Sequence, residues 1–507
     1  MSDSTSAGAP RADLRAPSAG VGPLLVLLVA GAVLFSANAG SLGLPAIDDC
    51  FYARKGVEMA RRGPSFTVTW NGEPTFQNPP MAFWALAGSY TLLGENDFAA
   101  RAPSMLMALG IMVGVWRLGS VASGAGTGAA AALLLLTPGF TNQARRCMLE
   151  IPLTFWVTAA MVVLVESRRR PRLLWLVALP LAGGILTKSV LGLLPLALAA
   201  AAFALAPAWR ATLLRVGFLA GVAAGLALGA TWPLHQWLTF GPDALHAHFV
   251  AEISARATER FSLWGFLFHY PRIILSLYQP VVLPALVGAV ILWRRRREPG
   301  GEVAVLLVLW AFLPVALYSF SATRSTRYVY PILPALALCA AEWLTRSFPR
   351  VSAALVRVVA PLAAAAAAAV FWVQPSLLAS TGTKVFKDDQ QIGRRVPPGE
   401  GIAYLGDPER YWRIANPLLY YQERSLAPSA ASALEAVAQS RQTSSRLLFV
   451  ERRRLPELEA LATAPALVDG GDWLALDLRR VRGPRDATSL ERLRLAAGGG
   501  DDVGGTR

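Results

Sequence analysis

Carboxylates at Asp48, Asp49 and Glu150 stand beside long apolar runs, and cations at Arg145, Lys188, Arg324 and Arg327 recur in comparable places. A carboxylate can act as general base on an acceptor hydroxyl, or orient it. Arg and Lys can hold the phosphate of a leaving group and stabilise charge as it departs. Together they suit transfer from a lipid-phosphate-linked donor, whose chain stays in the bilayer while its head group meets these side chains. Gln77 and Asn78, just before Pro79-Pro80, can hydrogen-bond such a head group, and Tyr52 and His269 are further positioning candidates. No two of the four histidines (235, 246, 248, 269) lie at an i, i+4 spacing, and Cys50, Cys147 and Cys339 lack zinc spacing. No metal site is expected from them. No phosphate loop of the GxxxxGKS type is present. No cofactor is required, although a divalent cation is compatible with the acidic residues.

These residues depend on membrane helices to meet. The chain is 54% hydrophobic and only 16% charged over 507 residues, against roughly 25% charged in soluble domains. Long uncharged runs accompany the deficit, which means lipid rather than a large aqueous core. The net charge of +15 lies beside apolar segments, and no basic face on a soluble fold suggests nucleic acid. Candidate spans are 22–44, 98–117, 124–142, 151–167, 172–188, 190–207, 211–233, 272–293, 302–320, 328–345 and 351–374, about eleven in all. Arg168 to Arg172, Arg210 with Arg215, Arg294 to Arg297, and Arg346 with Arg350 fall at alternate loops, which the positive-inside rule makes cytoplasmic. Counting residues 80–93 as another span breaks that alternation. They therefore read as a helix lying on the membrane surface, like the amphipathic stretch 50–62. The candidate carboxylates, cations and amides and the four histidines then gather at the outer face. Charges are almost absent within the spans, which argues against an ion pathway through the midplane.

Several segments carry a further signal in order. They are Ile47-Asp48-Asp49-Cys50-Phe51-Tyr52, Phe76-Gln77-Asn78-Pro79-Pro80 before an aromatic-rich helix, Arg101-Ala102-Pro103-Ser104, Arg145 to Pro152, Leu186 to Ser189, and Arg327 to Ala335. The series resembles the GT-C class of lipid-phosphate-sugar-dependent glycosyltransferases, which includes aminoarabinose transferases of lipid A and protein O-mannosyltransferases. The likeness covers residues 22 to about 345. It implies catalysis by Asp48, with Asp49 as neighbour and Glu150 in support. It also implies donor-phosphate contacts from Asn78, Arg145, Lys188, Arg324 and Arg327. The partners implied are a polyprenyl-phosphate sugar and an envelope lipid, glycan or protein acceptor. Two departures matter. The family's Lys before Pro-Pro is Asn78 here, so Lys188 or Arg327 must supply the charge. An arginine frequent three residues after the first acid is Phe51, which weakens the case for aminoarabinose.

The fold class expected is a membrane all-α, GT-C-like helical bundle with two juxtamembrane helices and a small C-terminal α/β domain. Its parts are a disordered cytoplasmic start (1–21), a transmembrane catalytic domain (22–374), an external α/β domain (375–482) and a disordered tail (483–507). The protein belongs, on this reading, in the cytoplasmic membrane as a multi-pass enzyme with its C-terminal domain outside. Each site residue has a plainer reading. Asp48 and Asp49 can cap the helix that follows, Glu150 can bridge to Arg145 or Arg146, Lys188 can snorkel, and Arg324 and Arg327 can meet lipid head groups. The competing function is a transporter or flippase of lipid-linked glycans, but the internal repeats and mid-depth charges that mark one are absent.

Overall fold

A computed structural model describes residues 22–45, 47–249, 263–320, 325–373, 395–396, 400–461 and 466–479. The expected disordered ends, Arg324, and much of the stretch joining the two expected domains lie outside these residues. The helical part runs α1 (Gly22–Ser36), α2 (Asp48–Arg62), a hairpin β1–β2 (Val68–Trp70 and Glu73–Thr75), α3 (Met81–Leu93), α4 (Asp97–Ser123), α5 (Ala125–Leu134), α6 (Pro138–Ala144) and α7 (Glu150–Ser167). It continues through α8 (Ala178–Lys188), α9 (Leu194–Leu205), α10 (Pro207–Leu213), α11 (Val216–Phe240), α12 (Pro242–His246), α13 (Leu263–Leu277), α14 (Val282–Arg294), α15 (Gly301–Ser319), α16 (Leu333–Ser347), α17 (Pro349–Ala354) and α18 (Ala360–Val373).

Among the described residues, seven helices are long and apolar enough to cross a membrane, or eight if α13 and α14 form one broken span. Length alone therefore gives fewer crossings than the sequence suggested. The run Pro171–Leu205 counts once by length, yet its ends lie together: Arg168 donates to the Ala208 carbonyl at 2.6 Å. It reverses where Ser189 has φ 42°, so α8 and α9 form a hairpin. The expected span 272–293 is divided, with α13 and α14 meeting at 112°. Pro280 lies between them, lacking the N–H that would continue the helix. The first span also ends early, at Ser36 rather than near Leu44.

The four basic clusters do gather at one end. Arg168 pairs with Glu302 at 2.6 Å, Trp209 donates to the Glu302 carbonyl, and Arg295 pairs with Glu342 at 2.8 Å. Helices α2 and α3 lie at the opposite end. With 13 residues, α3 is about 20 Å long at 1.5 Å per residue, too short for a hydrocarbon core of about 30 Å. It packs instead along α2 and α4. In an amphipathic helix on the membrane surface Lys55 and Glu58 would face water, but in α2 both are buried. Lys55 sits 3.9 Å from the centre of the Phe51 ring, and Glu58 accepts from Thr69 in the hairpin at 2.6 Å. The hairpin and the C-terminal domain cover the face that would otherwise be wet.

The C-terminal domain is a five-stranded mixed sheet with strand order β4-β3-β5-β7-β6. Its strands are β3 (Gly401–Leu405), β4 (Ser425–Ser429), β5 (Leu447–Glu451), β6 (Ala466–Asp469) and β7 (Trp473–Asp477), with α19 (Trp412–Gln422) and α20 (Ala433–Gln442) against it. Ile402, Tyr404 and Phe449 are buried on one face, and Ala403, Leu405, Leu448 and Val450 on the other. Burial of both faces explains why these strands read as unbroken apolar runs. Helix α19 docks on the membrane part: Tyr421 donates to Asp97 at 3.0 Å and accepts from the Leu44 amide at 2.7 Å.

Candidate active site

The chain reaches the site from the end of α1. Helix C-termini leave carbonyls without partners, and two buried arginines supply donors. Arg145 donates to the carbonyls of Leu34, Phe35 and Ala37. Arg101 donates to those of Leu42 at 2.9 Å and Gly43 at 3.0 Å. The expectation that Arg145 binds donor phosphate is therefore corrected, because its guanidinium is committed to α1. Arg101, from the Arg-x-Pro-Ser segment, was not among the expected site residues. Its role is to hold the loop that delivers Asp48.

Helix α2 then opens with two acids that face different ways. Asp49 is fully buried, paired with Arg146 at 2.5 Å and accepting from the Cys147 amide at 3.0 Å. Burial pushes its carboxyl up, against the pull of Arg146. Cut off from the cleft and saturated with donors, Asp49 is a structural tie rather than a second catalytic acid. Asp48 faces outward and pairs with Arg327 at 2.5 Å.

Across the same cleft, Glu150 opens α7 and is 2% exposed. Lys188, the last residue of α8, donates to it at 2.8 Å, and Gln143 donates to its other oxygen at 3.0 Å. Lys188 is placed by the sharp turn at Ser189, whose positive φ ends α8 there. The cleft, about 670 Å³, is lined by Asp48, Glu150, Lys188, Arg327, Gln77 and Asn78, with Tyr52, Ser189, His248 and Tyr328 around them. Val190, Leu191 and Leu317 make part of the wall apolar. Seven residues expected from the sequence thus converge from five separate stretches of chain. His269 does not: it lies in α13 with its ring against Tyr270 and does not line the cleft.

His248 was among the external histidines but not among the expected site residues. One ring nitrogen lies 2.8 Å from Ser189 Oγ and the other 2.8 Å from the Phe76 carbonyl, so it joins the turn after Lys188 to the strand leading to Gln77. A contact so distant in sequence left no local signal. Among the described residues no group of three or more His, Cys, Asp or Glu assembles a cation site. A second chamber of about 340 Å³ shares Asp48 and Arg327 with the cleft and is closed by Arg410, Arg413 and Trp473 of the C-terminal domain.

Comparison with known proteins bears on the fold. The dolichyl-phosphate-mannose-protein mannosyltransferase family matches residues 77–237. An undecaprenyl phosphate-alpha-4-amino-4-deoxy-L-arabinose arabinosyl transferase of Pseudomonas savastanoi pv. phaseolicola is 29% identical over 334 residues, covering 63% of this chain and 60% of that protein. The chain spans about six tenths of the length of the curated relatives it matches. The crystal structure of ArnT from Cupriavidus metallidurans bound to undecaprenyl phosphate superposes with a TM-score of 0.70 at 17% identity, covering 92% of this chain and 100% of that one. The oligosaccharyltransferase of Archaeoglobus fulgidus follows with a TM-score of 0.55 at 11% identity, over 87% of this chain and 71% of that one. The GT-C-like bundle with its small C-terminal domain is the fold of this chain, and the resemblance to membrane glycosyltransferases read from its motifs holds.

Proposed function

We propose that this multi-pass membrane protein transfers a sugar from a polyprenyl-phosphate donor to a cell-envelope acceptor (a lipid, glycan or protein). The observation that carries the reading is the pairing of two carboxylates with two cations in one cleft, Asp48 with Arg327 and Glu150 with Lys188. In this proposal the donor's phosphate enters between Arg327 and Lys188, while Asn78 and Gln77 donate hydrogen bonds. Its chain leaves along Val190, Leu191 and Leu317 into lipid. The acceptor oxygen attacks the anomeric carbon, the bond from that carbon to the phosphate oxygen breaks, and Asp48 takes the acceptor's proton. The leaving polyprenyl phosphate keeps the electron pair and is stabilised by Arg327 and Lys188. Glu150 fixes the Lys188 ammonium.

No resident cofactor enters these steps. Both Glu150 oxygens are taken by Lys188 and Gln143, and Arg327 and Lys188 supply the positive charge in this proposal; chelation should leave transfer unchanged. The basic clusters at the opposite end support a cytoplasmic-membrane location with the cleft and C-terminal domain outside. The test is transfer of labelled sugar from a polyprenyl-phosphate donor in reconstituted membranes carrying envelope acceptors. Asp48→Asn and Glu150→Gln should each lower the rate by a hundredfold or more, within the range of general acid–base contributions of about 10²–10⁴. Undiminished transfer by both would remove the proposal.

A further inference from the structure

At the end of the bundle remote from the cleft, a second polar cavity opens where five helix ends meet. These are the starts of α1, α5 and α17 and the ends of α4 and α16. The cavity is about 490 Å³ and is lined by Ser123, Thr127, Glu342, Thr345, Arg346 and Arg357 on its polar side. Pro23, Trp116, Ala129 and Val356 make the remainder apolar. Glu342 is 1% exposed. One of its oxygens accepts from Arg295 at 2.8 Å and from Arg346, but Oε2 is buried and has no hydrogen-bond partner. A buried carboxylate oxygen lacking a donor is costly. Water would satisfy it, but a ligand with a positively charged donor would satisfy it better.

The cations beside it ask for the opposite charge. Arg346 has only its Nε engaged by Glu342, and its side chain is half exposed. Arg357 is exposed, and among the described residues no carboxylate pairs with it. It stands on a π turn, Leu355–Val359, and such turns inside helices frequently mark functional sites. A ligand suited to this cavity therefore joins an anion, for the two guanidiniums, to a cationic donor for Glu342 Oε2. The apolar wall and the place at the membrane edge add a hydrocarbon tail. We propose that the cavity seats the head group of an aminophospholipid, its phosphate against Arg346 and Arg357 and its ammonium on Glu342. This rests on the membrane fold alone and not on the glycosyl-transfer reading.

The test is native mass spectrometry of the full chain in mild detergent, titrated with phosphatidylethanolamine, with its N-acetylated form, with phosphatidylglycerol and with inorganic phosphate. The unmodified aminolipid should bind about tenfold more tightly than the N-acetylated lipid or phosphatidylglycerol, the effect expected for one charged hydrogen bond. Glu342→Gln should erase that preference. Arg357→Ala, at an exposed position that folding does not need, should lower occupancy by all three phospholipids about tenfold. Because Glu342 also anchors Arg295, the Arg357→Ala result decides should Glu342→Gln fail to fold. Equal binding of the amine-free lipids, unchanged occupancy in Arg357→Ala, or displacement of the aminolipid by millimolar inorganic phosphate would each overturn the proposal.

Discussion

Replacing Lys188 by alanine separates what the Glu150–Lys188 pair does for the fold from what it does for chemistry. At 2.8 Å two unit charges attract by about 6 kcal/mol at an effective dielectric constant of 20. Desolvation offsets part of that gain, and removing one partner of a buried pair typically costs 3–5 kcal/mol because the other charge is stranded. Glu150 is almost wholly buried, while the Lys188 side chain is 19% exposed. Water can therefore reach Glu150 through the gap left by the lysine, so Lys188→Ala should cost about 3 kcal/mol, at the low end of that range. Glu150→Gln strands a lysine that can turn toward water, and should cost about 1–2 kcal/mol. The double variant strands neither charge and should recover most of the loss, whereas glycosyl transfer should stay lost in all three. Stability can be followed by a thiol-reactive fluorophore, since Cys50, Cys147 and Cys339 are free and buried and react only on unfolding. Transfer is measured on the same preparations. The reasoning fails if Lys188→Ala melts with the wild type. It fails equally if the double variant regains transfer in step with its stability, which would make the pair purely structural.

Three further outcomes follow. Asp49→Asn should lower stability by about 3 kcal/mol, since it leaves Arg146 without its carboxylate, and the same thiol assay reads it as an earlier transition. Arg145→Ala should destabilise by a comparable amount, because three carbonyls at the end of α1 lose their donor, while the folded fraction keeps its affinity for donor lipid. The third concerns pH. The hydrogen bond from Arg61 holds the Glu423 carboxyl below its ordinary value. A depressed carboxyl contributes stability that is present above its unfolded pKa of about 4.3 and is lost as pH falls through the lower, folded value. Hydrogen exchange at the junction of α2 and α19 should accordingly rise below about pH 4, and Glu423→Gln should remove that dependence.

What the sequence made legible follows the range of each interaction. Hydropathy and arginine placement are summed over many residues, so they located the helical segments and set 80–93 apart as a helix, which forms at Met81–Leu93 with only 13 residues. They misjudged α13 and α14 because a composition window cannot register a bend at one proline. Motif order brought Asp48, Asn78, Glu150, Lys188 and Arg327 to one cleft. It could not tell Asp49 from Asp48, since adjacent residues on a helix diverge by about 100° and only the packed loop shows which one meets Arg146. Arg145 and Arg146 posed the same difficulty: Arg145, expected at the donor phosphate, holds the end of α1, and Arg146 pairs with Asp49. Arg101 escaped because its partners are backbone carbonyls, which carry no residue identity to read, and His248 because Ser189 and Phe76 lie far from it in sequence.

Of the links between the two halves of the molecule, one bears directly on Asp48. Ile47, directly before Asp48, has φ 73° and ψ −99°, a region a β-branched side chain enters at a cost of about 1–3 kcal/mol. Its carbonyl accepts a 2.7 Å hydrogen bond from Asn416 in α19. The C-terminal domain thus behaves as a brace on a bent spring, and the spring's free end is the acid that aims into the cleft. Such a part cannot be exchanged as an independent module. A tail grafted from a related chain would have to reproduce this amide contact as well as those of Tyr421, or Asp48, the proposed general base, would shift out of line while every span stayed in place.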